Sequence, residues 1–396
     1  MSPEIQRLAD KAGVKLFDYQ MQALLEASLM QGRTQRLCLY YKTGAGKSLT
    51  ALGCMILWGW HETVVIAPPS THDMWEALGR KLGIRVYAMS HARFRMKDTK
   101  LSRTVPVVAD EMHLFGGHNG KGWKKLDTLG MHLQAPLVMA SATPNYNDAE
   151  RCYCIQHILD PIGTRGGFLE FIYRNCVTEQ NPFGQMPNVT GFLNYPDAAA
   201  FLADMPGVKY LPDDLVFTIT DVAVPHAALP EMDAYGYNAR DHHMLASGME
   251  ERHTRTYQGL VADGGLLHDH VYKEVTNLLS IATTPVLVFS THSTIAYALY
   301  GQLLLDDVDC DIVTGGDTPA RKQRKLDKFR HGGTNVLVGT ASLATGTDGL
   351  DKVSDWLIIL DDTEDDSLRR QLVGRIMPRG MDADALKKRV YRLVLT

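Results

Sequence analysis

Long apolar runs are missing from this 396-residue chain, and none approaches the roughly 18 residues that a membrane-spanning helix needs. Cysteine is scarce and unpatterned. The six thiols, at Cys38, Cys54, Cys152, Cys154, Cys176 and Cys310, contain no C-x-x-C pair, and Cys152 with Cys154 cannot supply a four-ligand zinc site. Reduced, partly buried thiols are the expectation. Positive charge is not in excess either: 41 Lys and Arg against 45 Asp and Glu leave a net charge of −4. That excludes an all-over basic surface for passive nucleic-acid binding, so any such contact has to be local. Met1-Ser2-Pro3-Glu4 carries an acid where a signal peptide carries a base, which implies a cytoplasmic protein with no membrane partner.

What is present is ordinary globular material, with 45% hydrophobic and 22% charged residues. At roughly 150 residues per domain the length suggests two domains and a connector. One local basic stretch stands out, with Arg93, Arg95, Lys97, Lys100 and Arg103 close together. A solvated face and a phosphate-contacting face are both open readings of it.

Gln35-Arg36-Leu37-Cys38-Leu39-Tyr40-Tyr41 reads as a short apolar strand, and Lys42-Thr43-Gly44-Ala45-Gly46-Lys47-Ser48 follows it into an apolar helix from Leu49 to Trp58. Strand, glycine-rich loop and helix in that order suit a phosphate. Glycines let backbone N–H groups turn onto phosphate oxygens, and the helix N-terminus adds its positive dipole end. Thr43, Gly44, Ala45, Gly46, Lys47, Ser48 and Leu49 are the candidate nucleotide-binding set. In it Lys47 reaches the β- and γ-phosphates and Ser48 binds Mg²⁺. The strict G-x-x-x-x-G-K-[ST] pattern asks for glycine at position 41, where this chain has Tyr41.

A second apolar strand, Val105 to Ala109, delivers Asp110-Glu111-Met112-His113 to its C-terminal end, where parallel sheets place ligand sites. Asp110 is placed to hold Mg²⁺, and Glu111 to position and polarise the attacking water for in-line displacement. A third strand, Pro136 to Ala140, ends in Ser141-Ala142-Thr143-Pro144, and Ser141 follows Asp110 by 31 positions.

This series resembles motifs I, II and III of superfamily 2 helicases and translocases, whose loop has the form x-T-G-x-G-K-[ST]. The resemblance implies ATP with Mg²⁺ as cofactors. It also implies that His113, Ser141 and Thr143 couple hydrolysis to movement rather than perform the chemistry. Leu16-Phe17-Asp18-Tyr19-Gln20 resembles the family's Q motif, with Gln20 as the adenine reader and Gln22 close enough to compete. Pro68-Pro69-Ser70, with Trp75 beyond it, is similar to motif Ia, and Ser90-His91-Ala92-Arg93 sits where the next backbone-contacting motif falls. Ser70 and Arg93 are therefore candidate nucleic-acid contacts.

From Pro285 a second parallel-sheet pattern begins, with strands at Val286–Phe289, Cys310–Val313, 335–339 and 356–360, and a basic helix from Ala320 to Phe329. It has no phosphate loop of its own, which suits a lobe that supplies only residues across a cleft. Thr340 to Gly349 resembles motif V, giving Thr340 as a nucleic-acid contact and Asp348 as a ribose or finger-orienting group. Gln371-Leu372-Val373-Gly374-Arg375 resembles motif VI, with Gln371 coupling and Arg375 the arginine finger, an effect worth about 10³ to 10⁵ in rate. The family pattern continues with an arginine at position 378, where Pro378 stands, so the following Arg379 is the candidate substitute.

The resemblance implies an α/β fold of two tandem RecA-like parallel-sheet lobes, with ATP between them: lobe 1 over 1–225, a helical connector over 226–265 and lobe 2 over 266–396. A strand over 216–222 is expected to close lobe 1, an arrangement like that of the Swi/Snf-type branch. That branch implies translocation along double-stranded DNA, held by its phosphate backbone. The other readings are a strand-separating DNA or RNA helicase and a nucleic-acid clamp without turnover. So compact a motor implies a separate protein that loads or targets it, and suits a phage-encoded protein working in host-cell cytoplasm.

Overall fold

The computed structural model describes residues 2–30, 35–42, 44–132, 135–142, 149–181, 186–211, 218–225, 260–262, 265–343, 349–361, 369, 372–374, 376 and 388–396. The chain divides into two compact units, Met1–Asp214 and Leu215–Thr396.

The first unit is built on a six-stranded parallel sheet. In chain order its strands are β1 (Arg36–Tyr41), β2 (Glu62–Ile66), β3 (Arg85–Met89), β4 (Val107–Ala109) and β5 (Leu137–Ser141), then, after the antiparallel pair β6 (Cys176–Glu179) and β7 (Asn188–Phe192), β8 (Val208–Leu211). Across the sheet the order is β3-β2-β4-β5-β1-β8. Successive strand side chains point to opposite faces, so near-continuous apolar strands are what a sheet covered on both sides requires. Cys38 and Tyr40 of β1, Val107 and Ala109 of β4, and Leu137 and Met139 of β5 pack into one core. The alternate Leu37, Leu39, Tyr41, Val108, Val138 and Ala140 pack into the other.

Around the sheet lie α1 (Pro3–Ala12), α2 (Asp18–Leu29), α3 (Lys47–Leu57), α4 (His72–Leu82), α5 (His91–Arg95), α6 (Lys121–His132), α7 (Ala149–Leu159), α8 (Gly167–Asn175) and α9 (Ala198–Asp204). Their starts follow local chemistry. Ser2 accepts from the Ile5 N–H ahead of Pro3 in α1, Ser90 from Arg93 N–H in α5, and Asp197 from Ala200 N–H in α9. In α4 the apolar spacing of Trp75, Leu78 and Leu82 turns one stripe to the core.

The second unit has its own six-stranded parallel sheet, built from β9 (Ile219–Val224), β10 (Val286–Phe289), β11 (Cys310–Val313), β12 (Val336–Gly339), β13 (Trp356–Ile359) and β14 (Arg389–Leu395). Its order is β11-β12-β10-β13-β14-β9. The same alternation holds, with Val286 and Val288 of β10 facing one core and Leu287 and Phe289 the other. Helices α10 (Asp269–Ile281), α11 (Ser293–Leu305) and α12 (Pro319–Arg330) accompany it. No described helix is long and apolar enough to cross a membrane.

One expectation is corrected. The strand read at 216–222 does not close the first sheet: Ile219–Val224 pairs in parallel with β14, and Arg392 bonds Asp221 at 2.8 and 2.9 Å across that pair. Its half-exposed side chains suit a sheet edge, and beside β1 that place is taken by β8. The division between units accordingly falls at 214 and 215, not 225. Of the expected connector over 226–265, only a few residues are described; Leu260 and Val261 pack in the second unit's core.

Candidate functional site

The site is built where β1 and β4 end, either side of β5. After β1 the chain turns through Gly44 (φ 79°) and Gly46 (φ 75°) into α3. Both glycines are left-handed, a region that L side chains enter at about 1–2 kcal/mol. Gly46 is closed to larger residues on a second ground, since a Cβ there would come within 2.4 Å of Gln20 Nε2. No side chain caps α3, so its first turn, with Ser48 and Leu49, presents its dipole end to the loop. Lys47 Nζ donates to the carbonyls of Tyr41 (3.1 Å) and Lys42 (3.4 Å), which holds the ammonium over the loop.

Gln20 is fastened to the same loop. Its Nε2 donates to Ala45 O at 3.3 Å and its Oε1 accepts from Phe17 N–H at 3.0 Å. Each end keeps capacity for one further bond, one donor and one acceptor, as adenine recognition asks. Tyr19 also donates to Ala45 O (3.0 Å), and the exposed Phe17 ring stacks on Tyr19 at 5.6 Å, an aromatic face beside the loop.

Asp110 is buried at the end of β4. Its Oδ2 accepts from Trp75 Nε1 at 3.3 Å, and its backbone carbonyl accepts from His91 Nε2 at 2.8 Å. Burial, with the Glu111 charge adding to it, pushes the Asp110 carboxyl up to about 7, while Lys47 pulls it down. Lys47 therefore acts electrostatically on Asp110 although the two leave different strands. Burial likewise pulls the His91 imidazole down to about 4, leaving it a neutral donor to that carbonyl at neutral pH.

Glu111 adopts a left-handed backbone (φ 50°, ψ 64°), the start of a 3₁₀ turn over Met112–Phe115. A non-glycine residue there is strained by on the order of 1–3 kcal/mol, and such strain gathers at functional sites. Its Oε2 is buried, accepts no hydrogen bond among the described residues and lies 3.5 Å from His113 Nδ1. Ser141, at the end of β5, is buried beside its register partner Tyr40, whose phenol is pushed up by burial.

These observations fit a magnesium nucleotide. The glycine turn and uncapped helix end accept phosphates, Ser48 and Asp110 would hold the cation, and a desolvated carboxyl raised beside a second acid is what a cation would relieve. The structure thus brings together Gly44, Ala45, Gly46, Lys47, Ser48, Gln20, Asp110, Glu111 and His113.

Other expected residues stand apart or undescribed. Ser70 lies half-buried in a 3₁₀ turn, and Arg93 is exposed on α5, paired with exposed Asp98 at 3.2 Å. Thr340 is buried, with its hydroxyl 3.4 Å from Ser342 Oγ, and so offers a phosphate little surface. Thr43, Thr143, Asp348, Gln371, Arg375 and Arg379 lie outside the described residues. Sequence reasoning missed Trp75 and His91 as holders of Asp110, and Tyr19 as a loop contact. The signal was present in α5, where His91 and Phe94, three apart, form its buried face.

Comparison with known proteins bears on both units. Residues 270–380 match the family model of the helicase conserved C-terminal domain. No curated protein matches the chain significantly. Among solved structures, S. cerevisiae Dbp5 bound to RNA and ADP BeF3 is similar in fold at a TM-score of 0.58 and 15% identity, over 100% of this chain and 88% of that one. A variant of S. cerevisiae Dbp5, also bound to RNA and ADP BeF3, gives 0.57 at 15% identity over the same shares. A Sulfolobus solfataricus SWI2/SNF2 ATPase core in complex with dsDNA gives 0.40 at 15% identity, over 97% of this chain and 88% of that one, and at that score says nothing of the branch. The chain thus has an α/β fold of two tandem RecA-like units, and residues 270–380 of the second match the helicase conserved C-terminal domain.

Proposed function

We propose that this chain is an ATP-dependent nucleic-acid motor that hydrolyses ATP at the first unit's strand ends. The observation that carries the reading is the convergence of the Gly44–Gly46 turn, Lys47 and the Asp110–Glu111 pair on either side of β5, with Lys47 acting on Asp110. Lys47 would neutralise phosphate charge as the γ-phosphoryl group transfers, and Ser48 and Asp110 would hold Mg²⁺, which supplies further neutralisation when bound. Glu111, with an unbonded Oε2, would orient the attacking water. Arg375 is the proposed arginine finger and Arg379 the candidate for the family's second arginine, on the sequence resemblance alone, since both lie outside the described residues.

The finer reading is translocation along double-stranded DNA, held by its phosphate backbone. It rests on the motif series alone, since the strand at 219–224, expected to close the first unit as in the Swi/Snf-type branch, pairs in the second unit's sheet. Strand separation is the second reading, favoured by the likeness in fold to an RNA-bound structure.

Steady-state ATP hydrolysis in the presence of duplex DNA, single-stranded DNA or RNA tests both. Stimulation by duplex DNA above the other two is expected. Stimulation by single-stranded DNA or RNA alone, with unwinding of a tailed duplex, selects the second reading. Absence of stimulation by all three contradicts the motor.

A further inference from the structure

The segment that carries the local basic charge is tied to the acid pair by its buried face. Between Ser90 and Thr104 there are five cations and one acid, Asp98, and all five cations are exposed. Lys125 of α6 donates to the carbonyls of Met96 and Thr99, each at 2.6 Å, and lies 5.2 Å over the Phe94 ring, which fixes this segment to the unit's body. On its inner side α5 makes four contacts with the segment that holds Glu111. His91 Nε2 donates to Asp110 O at 2.8 Å, and the His91 and Phe94 rings meet Phe115 edge-on at 4.8 and 5.8 Å. Arg95 reaches Leu114 O at 3.5 Å.

The acceptor of the His91 bond is decisive. Asp110 O belongs to the peptide that joins Asp110 to Glu111, and the orientation of that peptide plane sets the φ of Glu111. Glu111 has the unfavourable φ of 50°, so without a partner on this carbonyl the peptide would relax toward a commoner backbone and carry the Glu111 carboxylate away. From the other side the Glu111 N–H bonds the Asp110 carboxyl and Leu114 N–H donates to Glu111 O at 2.8 Å, so the His91 bond is the one tie to this peptide that comes from α5.

We propose that His91 is a positioning residue that links occupancy of the cationic α5 segment by nucleic-acid phosphates to the backbone conformation of Glu111. This rests on the reading of the chain as a nucleic-acid-stimulated ATPase. Phosphates seated on Arg93, Lys97 and Lys100 steady α5, α5 carries the imidazole, and the imidazole holds the Asp110–Glu111 peptide. Glu111 is then in place for the attacking water when nucleic acid is bound and less well held when it is not. The coupling runs through a buried hydrogen bond and packed rings, and needs no movement of the glycine loop.

The test uses the full chain, with ATP hydrolysis measured across concentrations of whichever nucleic acid stimulates the wild type most. His91→Phe keeps a ring against Phe115 and removes the donor. The stimulation factor should fall by about tenfold or more, since a misplacement of about 1 Å at a reacting centre can cost on the order of 10²-fold, while KM for ATP stays within about twofold. His91→Gln, which restores an N–H donor of similar reach, should recover stimulation. Replacing Arg93, Lys97 and Lys100 together by Ala should raise the nucleic-acid concentration for half-stimulation and leave the plateau in place. Independently of any variant, hydrogen exchange at the Glu111 and Met112 amides of the wild type should slow on nucleic-acid binding. An unchanged factor in His91→Phe, an equal drop in basal and stimulated rates, or exchange at Glu111 indifferent to nucleic acid each overturns the link. A wild type that no nucleic acid stimulates overturns the motor reading itself.

Discussion

The two units each contain a parallel strand that runs through a short turn into a helix, and the turns are finished in opposite ways. After β1 the turn is glycine, lined by backbone, with Lys47's ammonium, the fastened Gln20 and the Tyr19 hydroxyl leaning on it. After β10 the turn is Ser290-Thr291-His292, and the buried Asp361 carboxylate accepts Thr291 N–H at 2.9 Å and the Thr291 hydroxyl as well. One turn is open to an external anion; the other already holds one of its own. Strand, turn and helix alone therefore do not make a phosphate site. Glycines at left-handed positions do, where among the described residues no internal carboxylate accepts from the turn's N–H groups. Burial raises both carboxyls; Asp361 is held by Thr291 and Ser290, whereas Asp110 is held by Trp75 and the Glu111 N–H and also feels the opposed charges of Glu111 and Lys47.

Breaking the open turn should have the largest effect. Lys47→Ala should reduce ATP hydrolysis by about 10²–10³-fold, the scale for losing a preorganised charge donor, while Asp361→Asn should leave the rate within about threefold in the same assay. Comparable losses in the two would erase the distinction between the turns.

Next comes stability. Asp110 is raised from its ordinary value to about 7, so the folded state binds the proton that the unfolded chain has released. Stability from this group is full below the ordinary carboxylate pKa of about 4 and is lost as pH rises through about 7. Asp110→Asn should therefore stabilise the protein at neutral pH by on the order of a few kcal/mol in chemical denaturation, and flatten stability between those pH values, while removing hydrolysis. A destabilised Asp110→Asn would make Asp110 a structural group. A smaller effect belongs to Gln20→Ala, which should cut the preference for ATP over GTP by about fivefold, the value of one hydrogen bond. Smallest is Asp361→Asn, where relief of a buried charge and weakening of the Thr291 contacts oppose each other; unfolding should shift by less than about 1 kcal/mol.

Much of the fold was legible because it is written in local apolar runs. Val286–Phe289 and Cys310–Val313 are strands over the residues that the sequence marks, and β1, β4 and β5 differ from expectation only at their ends. The strand at 219–224 was found but given to the wrong sheet, because strand pairing depends on partners far along the chain, here β14, and leaves no mark in its own spacing. At the site, Gly44, Gly46, Lys47, Asp110 and Glu111 were legible because phosphate and water chemistry restrict the residue types and their spacing. The holders were not. Trp75 reads as one more apolar position of α4 and His91 as part of a backbone-contacting motif, and only the fold shows both reaching Asp110.

The first unit as a working ATP site is tested most directly by Glu111→Gln, with ATP binding and ATP hydrolysis measured side by side in the full chain with and without nucleic acid. Binding should stay within about twofold of wild type and hydrolysis should fall by about 10²–10⁴-fold, the range for a positioned general base. Unchanged hydrolysis, or loss of binding along with it, would contradict the role of Glu111 and with it the account of this site.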